Sequence, residues 1–180
     1  MKKKHLLGLL LSVLSSGIYA QQNNKKDATF YQKQNEIKLN GLRLLLGAAE
    51  LDYQYLINEE SGVGVDVSYT FDDADLVSNW YIAPYYRQYF GDGYASGFFV
   101  EGFSYLNSMD DDIYEDDDYI SYTTEENVID LALGIGVGVK IVTGRNFTLE
   151  VDLEVGRQLF NTNRDYDIIA KGGLQLGYRF

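Results

Sequence analysis

Apolar and polar residues alternate along most of this chain, and the alternation is clearest near its end. Read backward by twos from Phe180, one parity of residues 168–180 is apolar and the other is polar or small, with Ile169 as the exception. Residues 147–156 show the same repeat, with apolar residues at the odd positions and mainly acids at the even ones. Because successive side chains of a β-strand point to opposite faces, a repeat of two predicts strands with one apolar face.

Eight such segments of roughly ten residues follow one another, separated by turns or loops. The first, near residues 36–46, is the least regular, because its parity slips between Leu39 and Leu42. The pattern predicts an all-β fold, an eight-stranded antiparallel up-and-down transmembrane β-barrel over residues 36–180.

Alternation alone is compatible with two kinds of barrel, which differ in the direction of the apolar face. An exported soluble barrel of the lipocalin type, which binds an apolar ligand, turns its apolar face inward, whereas a membrane barrel turns it to lipid. Several segments here alternate over about 10–14 residues, close to the roughly 9–11 that a tilted bilayer-spanning strand needs and longer than the average soluble strand of about 5–6. Segment length favours the membrane, and the soluble barrel stays the alternative.

Aromatic residues cluster where the two membrane interfaces would lie if both chain ends are periplasmic. Girdles of this kind anchor barrels at the interfaces. The predicted outer girdle comprises Tyr69, Phe71, Trp80, Tyr105, Phe160 and Tyr166. The predicted inner girdle comprises Phe90, Phe98, Phe147, Tyr178 and Phe180.

The N-terminal residues are typical of export rather than of the barrel. Three lysines, a short apolar run over residues 6–14 and a small residue at Ala20 form the pattern of a cleavable signal peptide over residues 1–20. The run is too short to cross a bilayer as a helix, which takes about 20 residues. Residues 21–35, rich in Gln, Asn and Lys, are predicted to be a flexible periplasmic tail.

The net charge and the absence of cysteine exclude some binding partners and some covalent modifications. Without the signal, twelve basic side chains stand against 27 acidic ones, a net charge of −15, so the chain should repel nucleic acid. There is no cysteine, which excludes disulfides and lipid attachment at an N-terminal cysteine.

The last strand and three further stretches carry a resemblance to known proteins. Residues 177–180, Gly-Tyr-Arg-Phe, resemble the C-terminal signal of outer-membrane barrels, which implies recognition of Phe180 by the barrel-assembly machinery. Residues 36–56, 80–90 and 96–102 resemble a bacteroidete-type family of small outer-membrane barrels of unknown function. The resemblance covers most of the chain beyond the signal. It implies an OmpX-like or OmpA-barrel-like architecture and no activity.

The polar parity of the strands predicts a charged lumen. An eight-stranded barrel has an interior just wide enough for side chains to fill it, so a general porin is excluded. Charges held away from bulk water must be paired or hydrated. We interpret the lumen as a structural network rather than a proton or ion path, with Arg87 pairing with Glu101 or another inward acid. The predicted network comprises Arg87, Glu101, Asp130, Lys140, Glu150, Asp152 and Lys171. The same inward parity includes Glu50, Asp52, Asp66, Glu154 and Arg179.

Catalysis by the usual residues is excluded over the barrel. The only histidine, His5, lies in the signal, so Ser-His-Asp, Cys-His and His-metal arrangements are unavailable. The motif Gly134-x-Gly136-x-Gly138 lies inside a strand, and we interpret it as small lumen-facing residues that make room for larger neighbours. We therefore predict that the protein is not an enzyme and has no cofactor.

Residues 107–127 form the most distinctive local feature, with nine acids and no base. The simplest interpretation is a solvated extracellular loop that stays extended through charge repulsion. Weak Ca²⁺ binding, bridging through divalent cations to lipopolysaccharide phosphates, and contact with a partner are the functional alternatives. The candidate Ca²⁺ ligands are Asp110, Asp112, Asp116 and Asp118.

Together these observations predict a non-catalytic, monomeric barrel in the outer membrane of a Gram-negative bacterium, with a membrane-structural or surface-interaction role. Its predicted surroundings are outer-membrane lipid and lipopolysaccharide. A lipid-modifying enzyme and a narrow channel are less favoured alternatives.

Overall fold

A computed structural model describes residues 33–71, 78–117, 120–160 and 168–180, and for residues 110–127 it describes the backbone alone. These residues form eight strands and one five-residue helix. In chain order the elements are β1 (Asn35–Asn40), α1 (Gly41–Leu45), β2 (Ala48–Leu56), β3 (Ser61–Thr70), β4 (Trp80–Phe90), β5 (Gly97–Asp117), β6 (Ile120–Val142), β7 (Phe147–Gln158) and β8 (Ile168–Arg179). In this part of the chain, no helix is long and apolar enough to cross a membrane.

Each strand pairs antiparallel with the next, and β8 pairs back with β1, which closes the barrel. The closing register runs from Glu36 opposite Arg179 to Asn40 opposite Gln175. Because every connection joins neighbouring strands, the topology is up-and-down. The predicted all-β, eight-stranded antiparallel barrel is confirmed.

The two ends of the barrel differ in their connections. One end, called the terminal end below, carries the start of β1, the end of β8 and the short connections 57–60, 91–96 and 143–146. The opposite end, called the far end, carries α1 and the longer connections after β3 and β7, of which residues 72–77 and 161–167 lie outside the description. Short turns at one end and longer connections at the other are the habit of membrane barrels.

The first predicted strand is wrong in its second half, because β1 ends at Asn40 and α1 follows. The Asn40 side chain accepts hydrogen bonds from the backbone N–H groups of Leu42 and Arg43, at 3.1 and 3.2 Å, and so caps the helix. The parity slip between Leu39 and Leu42 marks this change from a repeat of two to a helical turn.

Most of residues 107–127 form strands rather than the predicted loop. β5 and β6 stay paired through this stretch, up to Asp117 opposite Ile120. The pairing of β5 with β4 stops at Ser108, and that of β6 with β7 stops at Ala132. Residues 110–117 and 120–127 therefore form a two-stranded extension of the far end, called the ribbon below. Backbone hydrogen bonds hold the two strands of the ladder together although acidic residues stand opposite each other.

The apolar parity of the strands faces outward and the polar parity faces inward. On β7, Leu153 and Val155 are 69% and 50% exposed, whereas Glu150 and Asp152 are 0% and 3% exposed. The same alternation runs through β2 from Ala48 to Leu56. The charged side chains therefore fill the lumen of the barrel, and the outer wall is apolar.

The aromatic residues follow the predicted girdles with one correction. Tyr69, Phe71 and Phe160 are exposed at the far end, and all members of the inner girdle are exposed at the terminal end. Trp80 is half-buried, and Tyr166 lies outside the described residues. Tyr105 is the correction: it is 2% exposed and lies in the lumen, because it has the same parity as Glu101 and Phe103 on β5.

Candidate functional site

The candidate site is the lumen, where nine acidic and six basic side chains of the described residues are almost completely buried. Every strand contributes, because every strand turns its polar parity inward. With fewer bases than acids, several bases bridge two carboxylates each. The network divides into a terminal, a central and a far layer.

The terminal layer is built on Glu36 of β1. Its carboxylate accepts hydrogen bonds from Arg179 Nε at 2.6 Å and from Lys140 Nζ at 2.8 Å. Lys140 Nζ also donates to Gln54 Oε1 at 3.1 Å and to the Tyr89 hydroxyl. One acid thus joins β8 and β6 across the barrel, and the sequence separation of 104 residues between Glu36 and Lys140 shows how non-local the contact is.

The central layer is built on Arg87 of β4. Its guanidinium contacts Glu101 at 2.7 Å and Glu150 at 2.6 Å, and it lies 3.8 Å from the centre of the Phe99 ring. Lys38 Nζ contacts the same Glu150 at 3.1 Å and Asp52 at 2.6 Å. The predicted partner of Arg87, Glu101, is therefore in contact with it, as one member of a larger group.

The far layer combines ion pairs with aromatic rings. Lys171 Nζ contacts Asp66 at 2.9 Å and Glu154 at 3.0 Å. Three rings lie around the same ammonium, with centres 5.2–6.0 Å away, a favourable arrangement for a cation. They belong to Tyr81, Phe103 and Tyr105.

A second ion pair in the far layer comes from α1. Arg43 turns inward from the helix, and its Nε lies 3.1 Å from Glu50. The Glu50 carboxylate also accepts from Asn40 Nδ2 at 3.0 Å and from the Tyr81 hydroxyl. The helix thus places one cation in the lumen while its leucines stay on the outer surface.

Two of the predicted network residues make other contacts. Asp152 accepts a hydrogen bond from Gln175 Nε2 at 3.0 Å. Asp130, near the far end, accepts from the backbone N–H groups of Leu131 and Phe160 at 2.7 and 3.3 Å. All seven predicted residues are in the lumen, but the structure distributes them over separate layers.

Sequence reasoning missed Glu36, Lys38 and Arg43. Glu36 and Lys38 alternate with the outward-facing Ile37 and Leu39, so strand parity could have found them. Arg43 could not have been found in this way, because it lies on a helix.

Small residues make room for the large ones in the lumen, as predicted for the Gly134–Gly138 motif. A Cβ atom at Gly138 would lie 2.3 Å from the Phe99 ring, and one at Gly134 would lie 2.2 Å from the Phe103 ring. These glycines are therefore needed for the close approach of a ring from the neighbouring strand.

The candidate Ca²⁺ ligands Asp110, Asp112 and Asp116 have side chains outside the described part of the structure, as has Asp118 as a whole. Where side chains are described, no group of three or more acids, histidines or cysteines is placed to hold a metal ion. Ca²⁺ binding by this stretch stays a prediction.

Comparisons with known proteins were sparse. No protein-family model matches the chain, and no curated protein matches it. Among solved structures, the chain is similar to the outer membrane protein Ail of Yersinia pestis in a phospholipid bilayer nanodisc, at 15% identity and a TM-score of 0.38. The match covers 82% of this chain and 99% of that one. Membership of a bacteroidete-type family stays a prediction.

The class of this molecule follows from its own geometry. A closed barrel of eight strands with an apolar outer wall and a charged, side-chain-filled lumen has the polarity of a transmembrane barrel. In the lumen, the carboxylates are held by lysine, arginine, amide or backbone donors, an arrangement that stabilises charge and holds the wall together.

Proposed function

We propose that this protein is a non-catalytic, monomeric barrel of the Gram-negative outer membrane that presents an acidic ribbon at the cell surface. In this proposal residues 1–20 are removed on export, the predicted periplasmic tail ends before Asn35, where β1 begins, and the terminal end faces the periplasm. The barrel serves as the membrane anchor, and the ribbon makes the contacts.

One observation carries the membrane part of the proposal, namely the exposed apolar wall. Large apolar side chains are exposed on all eight strands, including Leu39, Leu51, Leu133, Leu153 and Leu176. A soluble protein rarely exposes a contiguous apolar patch above a few hundred Å². Lipid is the partner that such a wall fits.

The lipocalin-type alternative fits the lumen poorly. It needs an apolar interior for its ligand, whereas the described interior holds Glu36, Arg87, Glu150 and further buried charges. A narrow channel also fits poorly, because large side chains such as Tyr85 and Phe99 lie in the same interior.

The ribbon supports the surface-interaction part of the proposal. Its two strands pair only with each other in the described part of the chain, so within that part neither outer edge of the ribbon has a neighbouring strand. The register places Asp111 opposite Glu126 and Asp112 opposite Glu125. Like charges directly opposite each other destabilise a ladder, so a cationic partner would stabilise the ribbon. Divalent cations that bridge to lipopolysaccharide phosphates are one such partner.

The C-terminal residue fits a role in assembly. Phe180 is 50% exposed at the terminal end, and its N–H donates to the Asn35 carbonyl at 2.8 Å. An exposed aromatic end on the last strand is accessible to the barrel-assembly machinery before the barrel closes.

The membrane part is tested by fractionation. Protein from isolated outer membranes should need detergent for extraction and should migrate differently on a gel when it is left unboiled. Recovery in the soluble periplasmic fraction without detergent would refute the proposal.

The ribbon part is tested on the refolded barrel with polylysine as a cationic probe. Changing Asp110, Asp111 and Asp112 to Asn should weaken binding and reduce its salt dependence. The matched control changes Glu59, Glu60 and Asp92, three acids of the terminal end, to their amides and should leave binding unchanged. Equal losses in both variants would show that overall charge, rather than the ribbon, attracts the probe.

A further inference from the structure

The connection between β4 and β5, residues 91–96, lies across the terminal mouth of the barrel. In a closed ring of eight strands, β4 and β8 are diametrically opposite. A short turn that starts from β4 can contact a side chain of β8 only if the turn folds over the opening and the side chain reaches inward to meet it. The contacts between this turn and the inward-pointing Arg179 side chain therefore place the turn over the mouth.

Arg179 holds the turn with two parallel hydrogen bonds. Its Nη1 donates to the Tyr94 carbonyl and its Nη2 donates to the Ala95 carbonyl, both at 3.0 Å. Its third nitrogen, Nε, donates to Glu36 at 2.6 Å. A planar guanidinium fits this task because its donors are fixed in direction, which a lysine ammonium cannot reproduce.

The turn is also packed from below and from the side. Ala95 is completely buried in a cluster with Leu56, Tyr89 and Phe99. Its N–H donates to the Glu59 carbonyl in the β2–β3 turn at 2.7 Å. The turn therefore contacts β2, β8 and a second turn as well as its own two strands.

The backbone of Ala95 has a conformation that is unfavourable for alanine in the absence of other contacts. Its φ is 41°, in the left-handed region, which is unfavourable for a residue other than glycine. Such a conformation persists only where surrounding contacts impose it. Here the contacts with Arg179 and Glu59 are the ones that do so.

We propose that residues 91–96 are a built-in plug that seals the terminal mouth, with Arg179 as the latch. The plug separates the Glu36–Lys140 layer of the lumen from bulk water at that end. The inference does not depend on the proposed role of the ribbon. A sealed mouth would also oppose the passage of ions through the lumen.

The test uses the absence of cysteine from the chain. Ser96→Cys introduces a nearly isosteric thiol into the plug, where Ser96 is only 9% exposed. A membrane-impermeant maleimide should label it slowly in the folded barrel. Gly144→Cys is the reference for free access, because it lies in the exposed β6–β7 turn and a Cβ atom there meets nothing within 4 Å.

The latch is tested by adding Arg179→Lys to Ser96→Cys. Lysine keeps the charge beside Glu36 but loses the double hydrogen bond, so labelling should become about tenfold faster as the turn opens more often. Arg43→Lys is the matched control, because Arg43 is also a buried arginine but contacts Glu50 and Tyr81 in the far layer, at the opposite end of the lumen. It should leave the labelling rate unchanged.

Several results would overturn the inference. Labelling of Ser96→Cys as fast as that of Gly144→Cys would show that the mouth is open. Equal rates with Arg179→Lys and Arg43→Lys would show that Arg179 is not the latch. If Arg179→Lys fails to fold, hydrogen exchange of the Ala95 amide in the unaltered protein decides. Protection comparable to that of strand amides supports the plug, and exchange as fast as that of Gly144 refutes it.

Discussion

The lumen face and the outer face of the same strands differ in how strictly each residue is specified. On β7, Glu150 meets two defined cations, Lys38 and Arg87, which lie on β1 and β4. Leu153, three residues later on the same strand, is 69% exposed on the outer wall and needs only an apolar surrounding. A lipid-facing side chain is therefore replaceable by another apolar one, whereas a lumen side chain is tied to particular partners.

The lumen face, rather than the outer face, fixes the register of the strands. Backbone pairing between neighbouring strands is the same for any sequence, and an apolar wall does not distinguish one register from another by two residues. The lumen does, because a shift of β8 by two residues would move Arg179 away from Glu36 and from the plug. Buried polar groups have this kind of registry role in other folds.

The largest expected effect is on the lumen side, from Arg87→Ala. The change leaves Glu101 without its cation and removes one of the two from Glu150, so we expect a loss of about 3–5 kcal/mol in the free energy of unfolding. Urea titration of the refolded barrel in lipid vesicles measures it. Arg145→Ala, in the exposed β6–β7 turn, is the control and should change stability by less than about 0.5 kcal/mol. Unchanged unfolding of Arg87→Ala would mean that the central layer does not stabilise the barrel.

The next effect tests the outer face through Leu153→Arg. In a bilayer, a charge near the middle of the wall should cost about 2–4 kcal/mol, whereas Leu159→Arg beyond the end of β7 should cost about 0–1 kcal/mol. The same unfolding measurement in vesicles compares the two. In a soluble barrel both positions face water, so equal and negligible effects would contradict the membrane placement.

A smaller effect separates two glycines on opposite faces. Gly138→Ala places a Cβ atom 2.3 Å from the Phe99 ring and 2.6 Å from the Val151 carbonyl, so overpacking should cost about 1–3 kcal/mol. Gly102→Ala, on the outer face, meets nothing within 4 Å. It should be close to neutral. If the two variants unfold alike, the lumen is less tightly filled than its geometry implies.

The smallest effect compares one chemical change on the two faces. Tyr85→Phe removes a buried hydrogen bond of 2.8 Å to Asp52, whereas Tyr53→Phe removes an exposed one of 2.7 Å to Asn35. Because only the buried acceptor loses all solvation, Tyr85→Phe should be the more destabilising by about 1 kcal/mol. Thermal unfolding, followed by the loss of the unboiled gel band, ranks them. The reverse order would contradict the tight hydrogen bonding of the lumen side chains.

Sequence reasoning predicted the inward and outward faces of the strands better than the residues at which the strands end. Parity placed Arg87, Glu101 and Glu150 on the inner face, and the structure has them in contact. Sequence reasoning misplaced Tyr105, although the parity that Tyr105 shares with Glu101 already placed it on the inner face. It also missed the end of the first strand at Asn40, because a capped helix depends on local hydrogen bonds that alternation does not record. It also predicted a loop where the ribbon stays paired, because a run of like charges suggests repulsion and does not show the backbone pairing of the two strands.

The chain by itself determined which face of each strand is apolar, since a repeat of two is a local property that survives any arrangement of the strands. Only the tertiary structure decided which charges meet, such as Lys38 with Glu150, 112 residues apart. It also decided that residues 91–96 cross the mouth to reach Arg179. Partners at such separations are chosen by barrel closure and strand register, which no short stretch of sequence records.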